Sequence, residues 1–231
     1  KISFNLTAIA SSETNLVWEG TPGESRILVV SNMSEDAYER FGYKDAFESG
    51  EEYTLYAKTL AWVTVVPEAI VYFKNLGYPA DGVTELRLAQ ALGLPPPSAE
   101  RMLVGFMVNP EDIFRPCPDP EINDHECALD FSSEHSGELI AFDENTKLYE
   151  SAPCEDDGCT YDSWFEHRRN IVYAGDGAFP WTQLGYTYDW AIDAPYGNVG
   201  ISEFAIKGGT VFNVVSADKV TDYFIENWDT Y

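Results

Sequence analysis

The sequence predicts an α+β fold: a mostly antiparallel β-sheet, a few short helices and a long loop-rich acidic region stapled by disulfides. Three observations predict it. Strand-like stretches outnumber helical ones, the helical ones fall between groups of strands instead of alternating with them, and all four cysteines lie in residues 111–167. With 231 residues, 45% of them hydrophobic and 14% aromatic, the chain has enough apolar material for one substantial core, so residues 1–231 read as a single domain.

The elements follow in order. Ile2, Phe4 and Leu6 alternate as a strand does, and Ile27, Leu28, Val29 and Val30 form an apolar run of buried-strand length. Thr21, Pro22 and Gly23 mark the turn between them. Ser34 is placed to cap a short helix that carries Glu35 and Asp36 in its first turn, with Gly42 limiting its length. Residues 53–66 are rich in β-branched and aromatic side chains and predict one long strand or two.

Pro67 suits a helix start, Ala69, Ile70, Phe73 and Leu76 supply the apolar stripe, and Gly77 ends it. Thr84 caps a second helix with Leu88 and Leu92 inward; Gly93 stops it before Pro95, Pro96 and Pro97. Residues 102–108 predict a buried strand, 139–142 a short apolar one, and 162–169 an amphipathic helix with Trp164 and Phe165 inward. Residues 202–206 and 210–215 predict a hairpin across Gly208 and Gly209.

The formal charge is −25, and residues 111–167 hold 17 carboxylates against Arg115 and Lys147. Such a field repels nucleic-acid phosphates and anionic membranes, which excludes both as partners. The longest apolar run, 60–72, is interrupted by Pro67 and Glu68 and falls short of the roughly 20 residues a membrane span needs, so no membrane insertion is expected.

Cys117, Cys127, Cys154 and Cys159 are spaced C-x9-C-x26-C-x4-C, unlike the C-x2-C pairs of zinc ribbons. An even count in proline-rich surroundings fits disulfides formed in an oxidising compartment, and with them a secreted or extracellular protein. Three connectivities are open. The local one, Cys117–Cys127 with Cys154–Cys159, closes the shortest loops; the alternative use is a metal site with His125 beside Cys127. The sequons at Asn5 and Asn32 would make it a glycoprotein on a eukaryotic secretory route. Crowded loop carboxylates, Asp143, Asp156 and Asp157 among them, suit calcium, which takes six to eight hard oxygens; no EF-hand pattern is present.

Trp181, Tyr186, Tyr188 and Trp190 alternate with polar residues as a half-exposed strand would, beside Asp189. Aromatic faces next to carboxylates grip sugars, so this stretch is the candidate binding surface. A glycan hydrolase would need a second carboxylate across the bond, with Asp189 and Glu203 the candidates. No G-x-S-x-G elbow, Walker A or dinucleotide glycine pattern occurs.

Glu203 stands in Ser202-Glu203-Phe204-Ala205-Ile206, followed by Lys207-Gly208-Gly209-Thr210-Val211-Phe212-Asn213-Val214-Val215. This resembles the strand and hairpin of ADP-ribosyltransferases that carry the catalytic glutamate, which implies NAD chemistry through Glu203. The likeness covers less than a tenth of the chain; for the family's arginine and serine strands only Arg26 and Ser31 stand as nominal counterparts. Residues 114–122 and 180–190 also resemble stretches of bacterial proteins without assigned activity, and that likeness implies no substrate.

The leading expectation is therefore an extracellular, disulfide-stabilised acidic protein with a binding or structural role and bound calcium. Its partners would be glycans or other extracellular proteins, and strand pairing at exposed edges would allow self-assembly. The alternatives are a carbohydrate-active hydrolase and an NAD enzyme.

Overall fold

The computed structural model describes residues 2–3, 5–129, 131, 160–174, 179–194 and 196–231. The strands are β1 (Ile2–Ser3), β2 (Ile27–Ser34), β3 (Glu52–Thr54), β4 (Ala61–Val65), β5 (Arg101–Val108), β6 (Ile113–Phe114), β7 (Glu126–Cys127), β8 (Tyr186–Tyr188), β9 (Val199–Ser202), β10 (Phe204–Ile206) and β11 (Val211–Lys219). The helices are α1 (Glu35–Arg40), α2 (Tyr43–Ser49), α3 (Glu68–Asn75), α4 (Glu85–Ala91), α5 (Tyr161–Val172) and α6 (Val220–Asn227). Seven strands form one sheet in the order β3-β11-β5-β2-β4-β10-β6, and every pairing in it is antiparallel. This is the α+β architecture the sequence predicts.

Local chemistry sets the helix ends as expected. Ser34 Oγ accepts from the Ala37 N–H at 3.1 Å, and Thr84 Oγ1 accepts from the Arg87 N–H at 3.2 Å, each satisfying a donor that the first helical turn leaves open. Pro67 stands at the N-cap of α3, whose Ala69, Ile70 and Phe73 are buried. Gly42 separates two short helices instead of ending one, because its left-handed φ of 80° turns the chain directly into α2. Residues 53–66 form two strands, β3 and β4, set apart in the sheet.

The alternation of side chains builds a core on each face. Val29, Val63, Val65, Val104, Phe106, Phe204 and Phe212 point one way, toward Tyr38 of α1 and Tyr43 and Ala46 of α2. Val30 and Leu103 point the other way, toward Ile70 and Phe73 of α3, Leu88 of α4 and Phe224 of α6. Farther along the sheet, Ala205 and Phe114 meet Trp164 and Phe165 of α5 and Trp181.

The expected hairpin between residues 202–206 and 210–215 does not form. β10 lies between β4 and β6, while β11 lies between β3 and β5, so both edges of each strand are occupied. Gly208 and Gly209 still make a turn, but it is pressed onto the loop after β3. Gly209 N–H donates to Leu55 O at 3.0 Å, and a Cβ on Gly208 would stand 2.3 Å from Ala57 O. That contact carries the chain across the sheet.

Candidate functional site

The sheet is held together at its middle by a short seam. β2 pairs with β5 over its whole length, from Ile27 opposite Val108 to Ser34 opposite Arg101. With β4 it pairs only at Val29–Val65 and Val30–Thr64. Beyond that seam β2 stays with β5 and β4 stays with β10, and a cavity of about 310 Å³ opens between them. Ser31, Asn32 and Met33 of β2 line one side; Ala61, Trp62 and Val63 of β4 line the other. Leu88, Leu92, Phe179 and Trp181 complete a largely apolar wall, which puts the cavity between the α3–α4–α6 core and the α5 core.

Glu203 enters this wall from the single residue that separates β9 from β10. Its backbone N–H donates to Gly185 O at 2.9 Å, which fixes the strand. Its Oε2 accepts from the Trp181 indole Nε1 at 3.0 Å, while Oε1 accepts no hydrogen bond from a described residue. The side chain is partly exposed, and that exposure opens into the cavity. Desolvation pushes its carboxyl up to about 8, against weaker lowering by the Trp181 hydrogen bond and the Arg168 charge. Burial thus favours the protonated form of Glu203. The Arg168 guanidinium lies over the Trp62 ring at 5.0 Å and the Phe179 ring at 5.7 Å, and Trp62 meets Trp181 edge to face at 6.2 Å.

A second carboxyl, Glu68, stands behind the wall. Its Oε1 accepts from the Ser202 N–H at 2.7 Å, and Ser202 Oγ in turn accepts from the Thr7 N–H at 2.8 Å. Burial raises the Glu68 carboxyl above its ordinary value. Its Oε2 accepts from the Thr64 hydroxyl at 3.4 Å, and Glu68 itself is not among the residues that line the cavity. Among the described residues of the wall, Glu203 is the one carboxylate and Arg168 the one cation.

Asp189 has another task. Arg87 Nη1 and Nη2 donate to its Oδ1 and Oδ2 at 3.1 and 2.6 Å, Tyr72 Oη donates to Oδ2 at 2.6 Å, and the Ala191 N–H donates to Oδ1 at 3.0 Å. Fully buried, it ties the 186–194 segment to α3 and α4 and lies outside the cavity. The expected aromatic platform is likewise divided. Trp181 is buried in the cavity wall, Tyr186 packs with Leu6, Cys117 and Cys127, Tyr188 is exposed, and the Trp190 indole donates to Leu94 O at 2.9 Å. A register shift between Tyr186 and Tyr188 breaks the period-two alternation that would have kept them on one face.

Cys117 and Cys127 form a disulfide, the first of the two local pairs. The loop between them wraps a buried arginine: Arg115 donates to the carbonyls of Glu121, Asp124 and Thr7 at 3.2, 2.7 and 3.3 Å. Cys154, Cys159, Asp143, Asp156, Asp157 and the strand expected at 139–142 lie outside the described residues, so the second pairing and the calcium ligands fall there too. Among the described residues, no three His, Cys, Asp or Glu side chains gather as a metal site would need.

Of the ADP-ribosyltransferase-like set, Ser31 shares the cavity wall with Glu203. Arg26 instead pairs with Glu19 at 2.7 Å and donates to Asn213 Oδ1, away from the cavity. Trp62, Arg168 and Thr64 were not legible in the sequence as wall residues, and no motif marks them, because the pairing of β4 with β10 and the packing of α5 bring them into the wall with Glu203.

No family model, curated protein or solved structure matches the chain. The short likeness of residues 202–215 to ADP-ribosyltransferases therefore stands on those residues alone.

Proposed function

We propose that this is an extracellular, disulfide-stabilised binding protein that holds a small, largely apolar molecule in the cavity between β2 and β4. The observation that carries this reading is the cavity itself: about 310 Å³, apolar and aromatic, with a few polar groups placed in its wall. The Cys117–Cys127 disulfide and the absence of a membrane-crossing helix among the described residues are compatible with a place outside the cell. Hydrolysis of glycans would ask for two carboxylates across one bond, and among the described residues of the wall Glu203 is the one carboxylate. The resemblance to ADP-ribosyltransferases would ask for the hairpin and for Arg26 near Glu203; β10 and β11 lie apart in the sheet, and Arg26 pairs with Glu19.

An uncharged solvatochromic dye such as Nile red tests the reading. The folded protein is expected to bind it stoichiometrically, and Ala37→Trp, which adds bulk from α1 into the cavity, is expected to abolish binding with little change in melting temperature. Equal binding by the two proteins would place the dye elsewhere and sink the reading. Calcium enters the same proposal through the acidic stretch 143–157; if it binds there, excess calcium raises the melting temperature above that in excess chelator.

A further inference from the structure

We infer that the molecule held in the cavity is uncharged and carries one hydrogen-bond acceptor, a ketone, amide or ester carbonyl, which docks on Oε1 of Glu203. This rests on the binding reading above and adds the chemistry of recognition to it.

Glu203 places one carboxyl oxygen, Oε1, in the wall of the cavity. Trp181 Nε1 donates to Glu203 Oε2, so Oε2 serves as the carbonyl oxygen of the acid and the proton resides on Oε1. Among the described residues Oε1 has no partner, and Glu203 forms no ion pair with any of them. A neutral carboxyl whose second oxygen is engaged presents one O–H donor, which calls for an acceptor on the ligand. Trp62, Phe179 and Trp181 give the rest of the wall an aromatic, largely apolar lining.

The neighbours favour the neutral acid. Trp62 and Thr64 of β4, Thr187 of β8 and the apolar Leu88 and Leu92 share the wall with Glu203; the Thr64 hydroxyl donates to Glu68 Oε2 at 3.4 Å and that of Thr187 to Ala91 O at 2.6 Å. Burial holds the Tyr43 hydroxyl of α2 neutral, Glu68 of α3 does not line the cavity, and among the described residues of the wall Arg168 of α5 is the one other charged group. That single cation, stacked on Trp62 and Phe179, offsets only part of the desolvation. An ionised ligand would have to shed its hydration in the same low-dielectric space, which costs several kcal/mol per ion, whereas a carbonyl exchanges one hydrogen bond to water for one to Glu203. Above its titration point Glu203 turns from donor to charged acceptor and repels the same carbonyl.

Three probes with a common ring test this by tryptophan-fluorescence titration: naphthalene, methyl naphthyl ketone and naphthoate. At about pH 6 the ketone is expected to bind about tenfold or more tightly than naphthalene, one hydrogen bond being worth roughly that factor. The preference should vanish at about pH 10, where the carboxyl is ionised. Glu203→Ala should bind both ring probes equally at either pH. Glu203→Gln, whose amide still donates, should keep the preference at both pH values. Equal affinity of wild type for naphthalene and the ketone would overturn the proposal and leave the binding reading intact. Tightest binding by naphthoate would also overturn it, in favour of an anion held at Arg168. If no probe binds while the dye is still bound and is lost in Ala37→Trp, the proposal alone falls; if the dye fails as well, both fall.

Discussion

Glu203 makes the protein's stability fall as pH rises through the neutral range. Its carboxyl ionises at the ordinary value of 4.5 in the unfolded chain and at about 8 in the folded one, so between those values the folded state holds a proton that the unfolded state has lost. Stability is therefore greatest below about pH 4.5 as far as this group is concerned, declines up to about pH 8, and is flat above. Each pKa unit is worth about 1.4 kcal/mol, and discounting for solvent reaching the cavity leaves a decline on the order of 2 kcal/mol. Glu68, Asp112 and Asp218, also raised by burial, slope the same way. Urea unfolding at about pH 5 and pH 9 is expected to show a smaller decline for Glu203→Gln than for wild type. Equal declines would refute the assignment. Arg87 poses a different question at the same scale. Its partner Asp189 is fully buried, so Arg87→Met should destabilise by about 3–5 kcal/mol by leaving a buried charge uncompensated. The double variant with Asp189→Leu should recover part of that loss, measured by the same unfolding midpoints.

At the scale of elements, the site depends on how closely β9 passes α4. A Cβ on Gly200 would stand 2.3 Å from Ala91 O and 2.4 Å from Thr187 Oγ1, and the Thr187 hydroxyl itself donates to Ala91 O at 2.6 Å. The nearest obstacle is backbone and cannot swing aside. Gly200→Ala is expected to lower stability by about 2–3 kcal/mol, since β9 must shift to admit the methyl group. Because β9 leads straight into Glu203, the same variant should weaken ligand binding even where it remains folded. An unchanged melting temperature would show that β9 has slack the distances deny. Helix caps were legible in the sequence because a cap is made by residues two or three apart, as at Ser34 and Thr84. The hairpin was not. Its turn glycines are present, but the edges of β10 and β11 are filled by β4, β6, β3 and β5, which arrive from as far away as residue 52.

At the scale of the whole molecule, the disulfide and the split sheet do separate jobs. Cys117 and Cys127 close a loop ten residues apart, which stabilises by about 2–3 kcal/mol through the unfolded chain. The bridge packs with Leu6 and Tyr186, while the cavity lies at the β2–β4 seam. Cys117→Ser with Cys127→Ser is therefore expected to lose about that much stability and to keep dye affinity where the protein remains folded. Loss of affinity in the folded variant would tie the cavity to the bridge.

By itself the sequence determined the α+β class, most helix starts and stops and the charge, and it favoured the local cysteine pairing of which Cys117–Cys127 is part. Those properties follow from neighbours in the chain: period-two alternation, capping hydroxyls, turn glycines and a short loop between thiols. Tertiary structure alone decided which strands pair, that Asp189 is an anchor for Arg87, that Trp181 faces Glu203 while Tyr188 faces outward, and that a cavity exists at all. The cavity is a place where two strands stop pairing, and a carboxyl is neutral at pH 7 only when its surroundings exclude water. Both depend on residues brought together from across the chain, on free sheet edges and on burial, none of which any single stretch of sequence contains.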